Sequence, residues 1–306
     1  MRNLFLFLCL SLLMGCSPQQ PPKTINFIVA SDMGRNGESE QQNIAVLLAR
    51  QVETSNIDFI AVTGDPIHDL GVKSVDDPEW LHKFENVYTA EALQNIPFYV
   101  VSGNHEYRGS VQAIIDYSQK SKRWNAPARY YSIEYPIGNG ESKALFIFID
   151  TTPLIDRYRE EEGYSDAGEQ NMDRQLYWLD STLFTTTSRW TFVFGHHPIY
   201  ADTEKSYGER TDMQKRVGEI IEKRKADFYI SGHIHSFQYL RPEGKTVNYI
   251  VNSSASLSRE VNYNEEIVFC SSDPGYSVFT VSDESVNFFF VNHTGEMIYR
   301  KTVVKE

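Results

Sequence analysis

Cysteine is scarce in this chain of 306 residues, which contains only Cys9, Cys16 and Cys270. The first two lie in the N-terminal leader considered below, so the mature chain keeps one unmodified thiol. A single thiol excludes an intrachain disulfide, and no disulfide-linked partner is expected. The stability of the fold therefore has to come from its apolar core.

The chain also has no excess of basic residues, and its formal net charge is -12. A nucleic-acid partner would favour a basic face, so the charge argues against one. The mature chain has no internal linker-like or low-complexity segment that would divide it. We therefore predict one domain over residues 25–306.

The first residues combine a positive charge at Arg2 with an apolar run over residues 4–14 that is too short to span a bilayer. This pattern predicts a signal peptide over residues 1–15. Gly15 followed by Cys16 resembles a bacterial lipobox, so Cys16 is predicted to be acylated, with residues 16–24 as a lipidated cysteine and proline-rich tether. We expect an exported lipoprotein anchored to a membrane, in the periplasm or at the cell surface. An ordinary secretory signal is the alternative.

Six of the eight histidines lie in or beside short motifs that follow apolar runs. These motifs are Asp32-Met33-Gly34, Gly64-Asp65-Pro66-Ile67-His68, Gly103-Asn104-His105, Gly195-His196-His197 and Gly232-His233-Ile234-His235. Each preceding run is short enough to be a buried strand. Because ligands in open α/β sheets gather at the carboxyl ends of parallel strands, the motifs are expected to converge on one cleft.

Helical patterns with a 3.6-residue period separate these runs, at residues 40–53, 78–93, 110–118, 173–183 and 213–223. The remaining segments pair strands without intervening helices, which is typical of antiparallel connections. The predicted fold class is α/β, as a four-layer α/β/β/α sandwich of two mixed sheets with flanking helices.

The motifs supply carboxylate, amide and imidazole donors without thiolates, a set suited to two hydrolytic metal ions such as Fe, Mn or Zn. Asp65 is the predicted bridging ligand. We assign Asp32, His68 and His235 to the first metal. Asn104, His196 and His233 are assigned to the second. A hydroxide bridging the two metals would be the nucleophile.

Two further histidines are not assigned to the metals. His105 follows a predicted ligand and is expected to face the substrate, where it would stabilise phosphate oxygens or protonate the leaving alcohol. Orienting a ligand is its alternative role. Neighbouring side chains of an extended segment point in opposite directions, so His197 is placed on the cleft rim or behind a ligand.

Taken together, the motifs resemble the calcineurin-like metallophosphoesterase superfamily, and most closely its small tartrate-resistant purple acid phosphatases. The resemblance extends over residues 26–303 and includes the segments 84–88, 121–127 and 233–240. It implies the same metal ligands, a substrate-facing His105, and hydrolysis of small phosphate monoesters. A phosphodiesterase or nucleotide hydrolase is the alternative within enzymes, and a non-catalytic surface binding protein is the alternative from another class.

The chain departs from that family at two positions. A tyrosinate on ferric iron gives the family its colour, and the matching residue here is His68, which favours Mn, Zn or Fe(II) and predicts a colourless enzyme. Lys205 stands where the family has a further histidine near the phosphate, so a substrate contact or a supporting role is assigned to it. The segment 157–166 is either a mobile loop beside the cleft or a solvated run of charges.

Overall fold

The computed structural model describes residues 22–205 and 207–305, so the predicted signal peptide and Cys16 lie outside the described residues. The strands are β1 (Ile25–Ala30), β2 (Phe59–Thr63), β3 (Phe98–Val101), β4 (Trp124–Asn125), β5 (Tyr131–Ile137), β6 (Ser142–Phe148), β7 (Trp190–Phe194), β8 (Phe228–Ser231), β9 (Phe237–Leu240), β10 (Asn248–Val251), β11 (Ile267–Ser271), β12 (Gly275–Val281), β13 (Ser285–Asn292) and β14 (Met297–Val304). The α-helices are α1 (Gln41–Thr54), α2 (Glu91–Gln94), α3 (Val111–Asp116), α4 (Asp156–Glu160), α5 (Ser165–Glu169), α6 (Met172–Thr185), α7 (Tyr207–Met213) and α8 (Glu219–Lys223).

Both sheets have seven strands and are mixed. The first has the order β14-β13-β12-β1-β2-β3-β4, in which β1 to β4 are parallel and β12 to β14 pair antiparallel. The second has the order β11-β9-β10-β8-β7-β6-β5, in which β6, β7, β8 and β10 are parallel. Each sheet therefore presents a row of parallel carboxyl ends, as the alternating strands and helices predicted.

Alternating side chains of the strands separate three apolar layers. In β1, Phe27 packs between the sheets, with its ring centroid 4.7 Å from that of Phe279 and 5.0 Å from that of Phe59, whereas Ile28 faces α1 on the outer side. A third apolar layer joins the second sheet to α6. Burying each phenylalanine contributes about 1.5–3 kcal/mol. The predicted four-layer α/β/β/α sandwich is confirmed.

The helix predicted over residues 78–93 is not continuous. Residues 79–85 are helical, with a π turn at Leu81–Glu85, and after a break α2 begins at Glu91. The buried Arg123 guanidinium donates to the Tyr88 carbonyl at 2.5 Å, so this carbonyl is satisfied from outside the helix. The apolar pattern over the segment reflects packing on the sheet, which does not require a continuous helix.

The segment 157–166 is helical, so its interpretation as a loop is wrong. It contains α4, a 3-10 turn and the start of α5. Tyr158 and Tyr164 are buried within it, which also excludes a fully solvated run of charges. Across the described ranges, none of the helices combines the length and apolar character needed to cross a membrane.

Candidate metal centre

The five motifs meet where the parallel strands of both sheets end. Asp32, Asp65 and Asn104 follow β1, β2 and β3 of the first sheet. His196 and His233 follow β7 and β8 of the second. The seven predicted ligands are each at most 5% exposed, which places ionisable groups at the bottom of a cleft between the sheets.

Four of these residues have left-handed backbone conformations, with φ of 51° at Asp32, 49° at Asp65, 68° at His233 and 64° at His235. Such conformations cost on the order of 1–3 kcal/mol each and cluster at functional sites. A Cβ at Gly64, whose φ is +89°, would overlap the ring of His196. The motif backbones are thus shaped to bring the side chains together.

The first group of donors combines Asp32, His68 and His235, whose donor atoms lie within 4.8 Å of one another. His235 Nε2 is 3.0 Å from Asp32 Oδ1. His68 Nε2 is 3.5 Å from Asp65 Oδ2. The structure thus brings together the residues predicted for the first metal.

The second group surrounds His196 Nε2. This atom lies 3.1 Å from Asp65 Oδ2, 3.3 Å from Asn104 Oδ1 and 3.2 Å from His233 Nδ1. The same oxygen of Asp65 therefore approaches donor nitrogens of both groups. This is the arrangement expected of a carboxylate that bridges two metals.

The outer ring nitrogen of four histidines is held by an oxygen that only accepts hydrogen bonds. The pairs are His235 Nδ1 with Leu257 O at 2.7 Å, His196 Nδ1 with Thr63 O at 2.9 Å, His105 Nδ1 with Asp69 O at 2.6 Å, and His233 Nε2 with Glu209 Oε2 at 3.0 Å. Each outer nitrogen therefore carries the proton. In the neutral rings, each inner nitrogen presents a lone pair to the cleft.

These lone pairs make the second group an acceptor cluster. In neutral rings, His196 Nε2 and His233 Nδ1 are both acceptors, yet they lie 3.2 Å apart beside the carboxylate of Asp65. Acceptors packed at this distance repel unless a metal cation or a proton on His196 lies among them. The donor set of oxygen and imidazole nitrogen suits Mn, Fe or Zn, so the residues fit the metal ions that the sequence predicts.

Buried polar atoms without hydrogen-bond partners support the same conclusion for the first group. Asp32 Oδ2 accepts from Ser31 Oγ at 2.6 Å and from His233 N at 3.0 Å, whereas Asp32 Oδ1 has only the inner nitrogen of His235 beside it, at 3.0 Å, which carries no proton in the neutral ring. Both ring nitrogens of His68 also lack partners. Because buried polar groups are almost always paired, these free atoms fit positions that ligate a metal.

The electrostatics of the cleft favour cations. Burial opposes ionisation of Asp65, but the neighbouring His196 and His105 hold the pKa of its carboxyl well below the usual range. Burial lowers the pKa of His68 to about 3, so its ring is neutral. Burial alone would lower the pKa of His196, but the carboxylate of Asp65 raises it to about 9. A proton and a metal compete for this lone pair.

His105 is the most accessible histidine of the group, with 19% of its side chain exposed. Its Nε2 lies 3.8 Å from Asp65 Oδ2. The carbonyl that fixes its ring belongs to Asp69, whose own side chain is 73% exposed and points away toward Arg35. The ring of His105 therefore faces the cleft, from which a substrate would approach.

His197 and Lys205 occupy different positions. His197 is fully buried, which does not fit its predicted place on the cleft rim, and its donor atom lies within 4.8 Å of those of His196 and His233. Its Nδ1 is 2.8 Å from Thr151 Oγ1, and its ring centroid is 4.4 Å from that of His233. Lys205 Nζ donates to the carbonyl of His233. Burial and the charge of Arg259 lower the pKa of Lys205 to about 8.

Two buried carboxylates of the site were not predicted. Glu106 accepts from the backbone of Asp65 and Ile67 at 3.1 Å each, and from Gly103 at 2.7 Å, so it ties two motif loops together. The sequence did contain a signal for Glu106, because this residue directly follows the Asn104-His105 motif. Glu209 contacts His233 from α7, and no local pattern distinguishes it from other glutamates of that helix.

Comparison with known proteins agrees with this geometry. The family model described as calcineurin-like phosphoesterase matches residues 25–237. The chain belongs to this family. Purple acid phosphatase 4 of Arabidopsis thaliana is 29% identical over 291 residues, covering 92% of this chain and 84% of that protein. Tartrate-resistant acid phosphatase type 5 of Rattus norvegicus is 27% identical over 317 residues, covering 97% and 94%.

Solved structures of low identity show the same fold. GAP50, described as the anchor in the inner membrane complex of Plasmodium, superposes with a TM-score of 0.78 at 23% identity, covering 92% of this chain and 90% of that chain. Purple acid phosphatase PPD1 from yellow lupin seeds gives 0.66 at 15% identity, covering 93% of this chain and 54% of that chain.

Membership of the family, together with the donor groups, makes this calcineurin-like phosphoesterase a metal-dependent enzyme that hydrolyses phosphoesters. The family implies a dinuclear metal centre and small phosphate-ester substrates.

Proposed function

We propose that this phosphoesterase is a phosphomonoesterase with two metal ions held between its sheets. The observation that carries the proposal is the position of Asp65 Oδ2, which is 3.5 Å from His68 Nε2 and 3.1 Å from His196 Nε2. One carboxylate oxygen shared by two donor groups implies two adjacent metals.

Asp65 would be shared by both metals. Asp32, His68 and His235 would complete the first position, and Asn104, His196 and His233 the second. Metals held there would activate a water molecule for attack on phosphorus and would offset the charge of the phosphoryl oxygens. The protein fixes each ligand nitrogen beforehand through the outer hydrogen bonds of the rings.

His105 would act on the substrate. Its Nδ1 proton is committed to the Asp69 carbonyl, so Nε2 is the nitrogen that faces the cleft. In the imidazolium form this nitrogen donates to a phosphate oxygen or transfers its proton to the leaving alcohol. The 2.6 Å contact with Asp69 fixes the ring, so Nε2 stays directed into the cleft. This fixed orientation supports a role as general acid.

Lys205 would assist from the other side of the cleft. Its ammonium group is held on the His233 carbonyl and lies beside a cavity of about 560 Å³ that is also lined by Arg259. A cation in this position is suited to contact the substrate phosphate. We propose this contact in place of the histidine that related phosphatases supply.

The proposal is tested with the purified mature protein loaded in turn with Mn, Zn and Fe. Hydrolysis of p-nitrophenyl phosphate is compared with that of bis(p-nitrophenyl) phosphate, and bound metal is counted. We expect two metals per chain and a preference for the monoester. A diester preference would instead support a phosphodiesterase or nucleotide hydrolase, and inactivity with two metals bound would support a binding role.

We further propose that the protein is exported and anchored by a lipid on Cys16, from the pattern of residues 1–16. The test is incorporation of a fatty-acid label in cells, with Cys16→Ser and, as its matched control, Cys270→Ser. Only Cys16→Ser should lose the label and leave the membrane fraction. Retention of the label in Cys16→Ser would contradict lipidation at this residue.

A further inference from the structure

The outer nitrogen of His233 is held differently from those of the other fixed histidines. His196, His235 and His105 donate to neutral backbone carbonyls. His233 Nε2 donates instead to the carboxylate of Glu209, at 3.0 Å. A carboxylate partner raises the basicity of an imidazole ligand as well as fixing its orientation, whereas a carbonyl mainly fixes the orientation.

Glu209 is itself held from the opposite side. It is 5% exposed, and its Oε1 accepts from the hydroxyl of Tyr158 at 2.9 Å and from Arg157 Nη1 at 3.1 Å. Both donors belong to α4, whereas Glu209 belongs to α7. The carboxylate is therefore fully paired and cannot turn away from His233 without losing three contacts.

The charges of the two donor groups explain why this carboxylate matters. The first group contains Asp32 as its own anionic donor, in addition to the shared Asp65. In the proposed assignment the second has only the shared Asp65 as an anionic donor, together with the neutral donors Asn104, His196 and His233. Asp32 also comes within 4.8 Å of Asp65 and His196, but its Oδ1 lies 3.0 Å from His235 Nε2, in the first group. A cation in the second position would therefore be balanced by fewer anionic ligands than a cation in the first. Glu209 supplies a further negative charge on the far side of the His233 imidazole.

We propose that Glu209 is a positioning residue that sets the affinity of the second metal position through His233. The inference rests on the proposed two-metal centre and assigns a role within it to a residue outside the motifs. Tyr158 and Arg157 in turn hold Glu209, so α4 contributes to the metal centre without contacting it.

The test uses Glu209→Gln, which keeps the size of the side chain and an acceptor but removes the charge. Stepwise binding of Zn and of Mn to the metal-free mature protein is measured by competition with a chelating dye. Loss of such a partner typically weakens metal binding by about 10–100-fold. We expect this loss for the weaker of the two binding steps, with the tighter step unchanged.

Glu222→Gln is the matched control. Glu222 lies in α8, and it also accepts from a tyrosine hydroxyl, that of Tyr249 at 2.7 Å, and from the Thr246 backbone at 3.0 Å. It has no contact with a metal-binding histidine among the described residues. Its substitution should leave both binding steps as in the wild type, whatever its effect on stability.

A second variant covers the case in which Glu209→Gln does not fold. Tyr158→Phe removes one of the bonds that hold Glu209, and it should weaken the same binding step to a smaller extent. Thermal unfolding of the metal-free variants separates a structural effect from a metal effect. The inference is overturned if the folded variant binds the second metal as tightly as the wild type, or if both steps weaken equally. A wild type that binds fewer than two metals would overturn the proposed centre itself.

Discussion

His105 is the residue at which binding of metals and chemistry on the substrate can be separated. The hydrogen bond of its ring goes to the Asp69 carbonyl and not to a predicted ligand, and its Nε2 faces the cleft. We expect His105→Ala to lower kcat/KM by about 10²–10⁴-fold, the usual contribution of a general acid, without loss of bound metal. The loss should be larger for alkyl phosphates than for p-nitrophenyl phosphate, because the latter leaves without protonation.

The control for this prediction is His82→Ala, since 57% of the His82 side chain is exposed and it lies outside the cleft. Kinetic assays with both esters and metal analysis of the three proteins provide the check. If His105→Ala loses metal in proportion to activity, then His105 orients a ligand and does not act as the acid.

His68 controls the colour expected of the iron-loaded protein. Its side chain is 1% exposed and its unpartnered nitrogens belong to the first donor group. A neutral imidazole gives no tyrosinate charge-transfer band, so the wild type should remain colourless with ferric iron. His68→Tyr should acquire a visible band, which an absorption spectrum reports directly.

His82→Tyr serves as the comparison, because it adds the same side chain at an exposed site. A purple wild type would mean that another tyrosine reaches the metal. A colourless His68→Tyr protein that still binds iron would mean that the residue at this position points away from the first metal.

At the scale of elements, a buried network joins the end of β6 to the turn that follows the Asn104-His105 motif. Asp150 is 1% exposed, accepts from the hydroxyl of Tyr107 and lies 3.7 Å from Arg129 Nη1. Burial raises the pKa of Asp150 from 3.8 to about 7. Between pH 3.8 and about pH 7, Asp150 is therefore protonated in the folded chain and ionised in the unfolded chain.

The stability of the metal-free protein should therefore fall with rising pH in this window, relative to Asp150→Asn. The expected slope is about 1.4 kcal/mol per pH unit from about pH 5 to about pH 7. Urea unfolding of both proteins across the window measures it. As a control, the stability of the wild type relative to Asp180→Asn should not fall with pH in this window, because Asp180 pairs with Arg224 at an accessible site and this pairing lowers its pKa. Parallel curves for the wild type and Asp150→Asn would show that Asp150 is ionised in the fold.

The elements also show which local patterns carry information. The apolar runs that precede the five motifs are strands in the structure, because a short buried apolar run is typical of a strand in a parallel sheet. The helix predicted over 78–93 is broken, because the break depends on Arg123, a residue distant in sequence whose guanidinium donates to the Tyr88 carbonyl. Glu209 was missed for the same reason, since its partner His233 is brought to it only by the packing of α7.

At the scale of the whole molecule, the site is an interface between the two sheets. Asp32, Asp65 and Asn104 come from the first sheet, and His196 and His233 from the second. Sequence alone placed them together because parallel strands end at a common edge. It also predicted Asp65 as the bridging ligand, but not which atoms approach one another. Asp65 Oδ2 lies 3.5 Å from His68 Nε2 and 3.1 Å from His196 Nε2, and these distances depend on the packing of the sheets through Phe27 and its neighbours.

Metal ions bound between the sheets should therefore stabilise the whole fold. A ligand that binds only the folded chain adds about 2.7 kcal/mol when its concentration is 100 times its dissociation constant. We expect a chelator to lower the unfolding temperature measured by calorimetry, and readdition of Mn or Zn to restore it. The metal-free chain should stay folded, because the aromatic layer between the sheets does not include the ligands. In Asp65→Asn the chelator should lower the unfolding temperature by less than in the wild type, because this one substitution removes an anionic donor from both positions. An equal fall in the two proteins would refute a shared carboxylate.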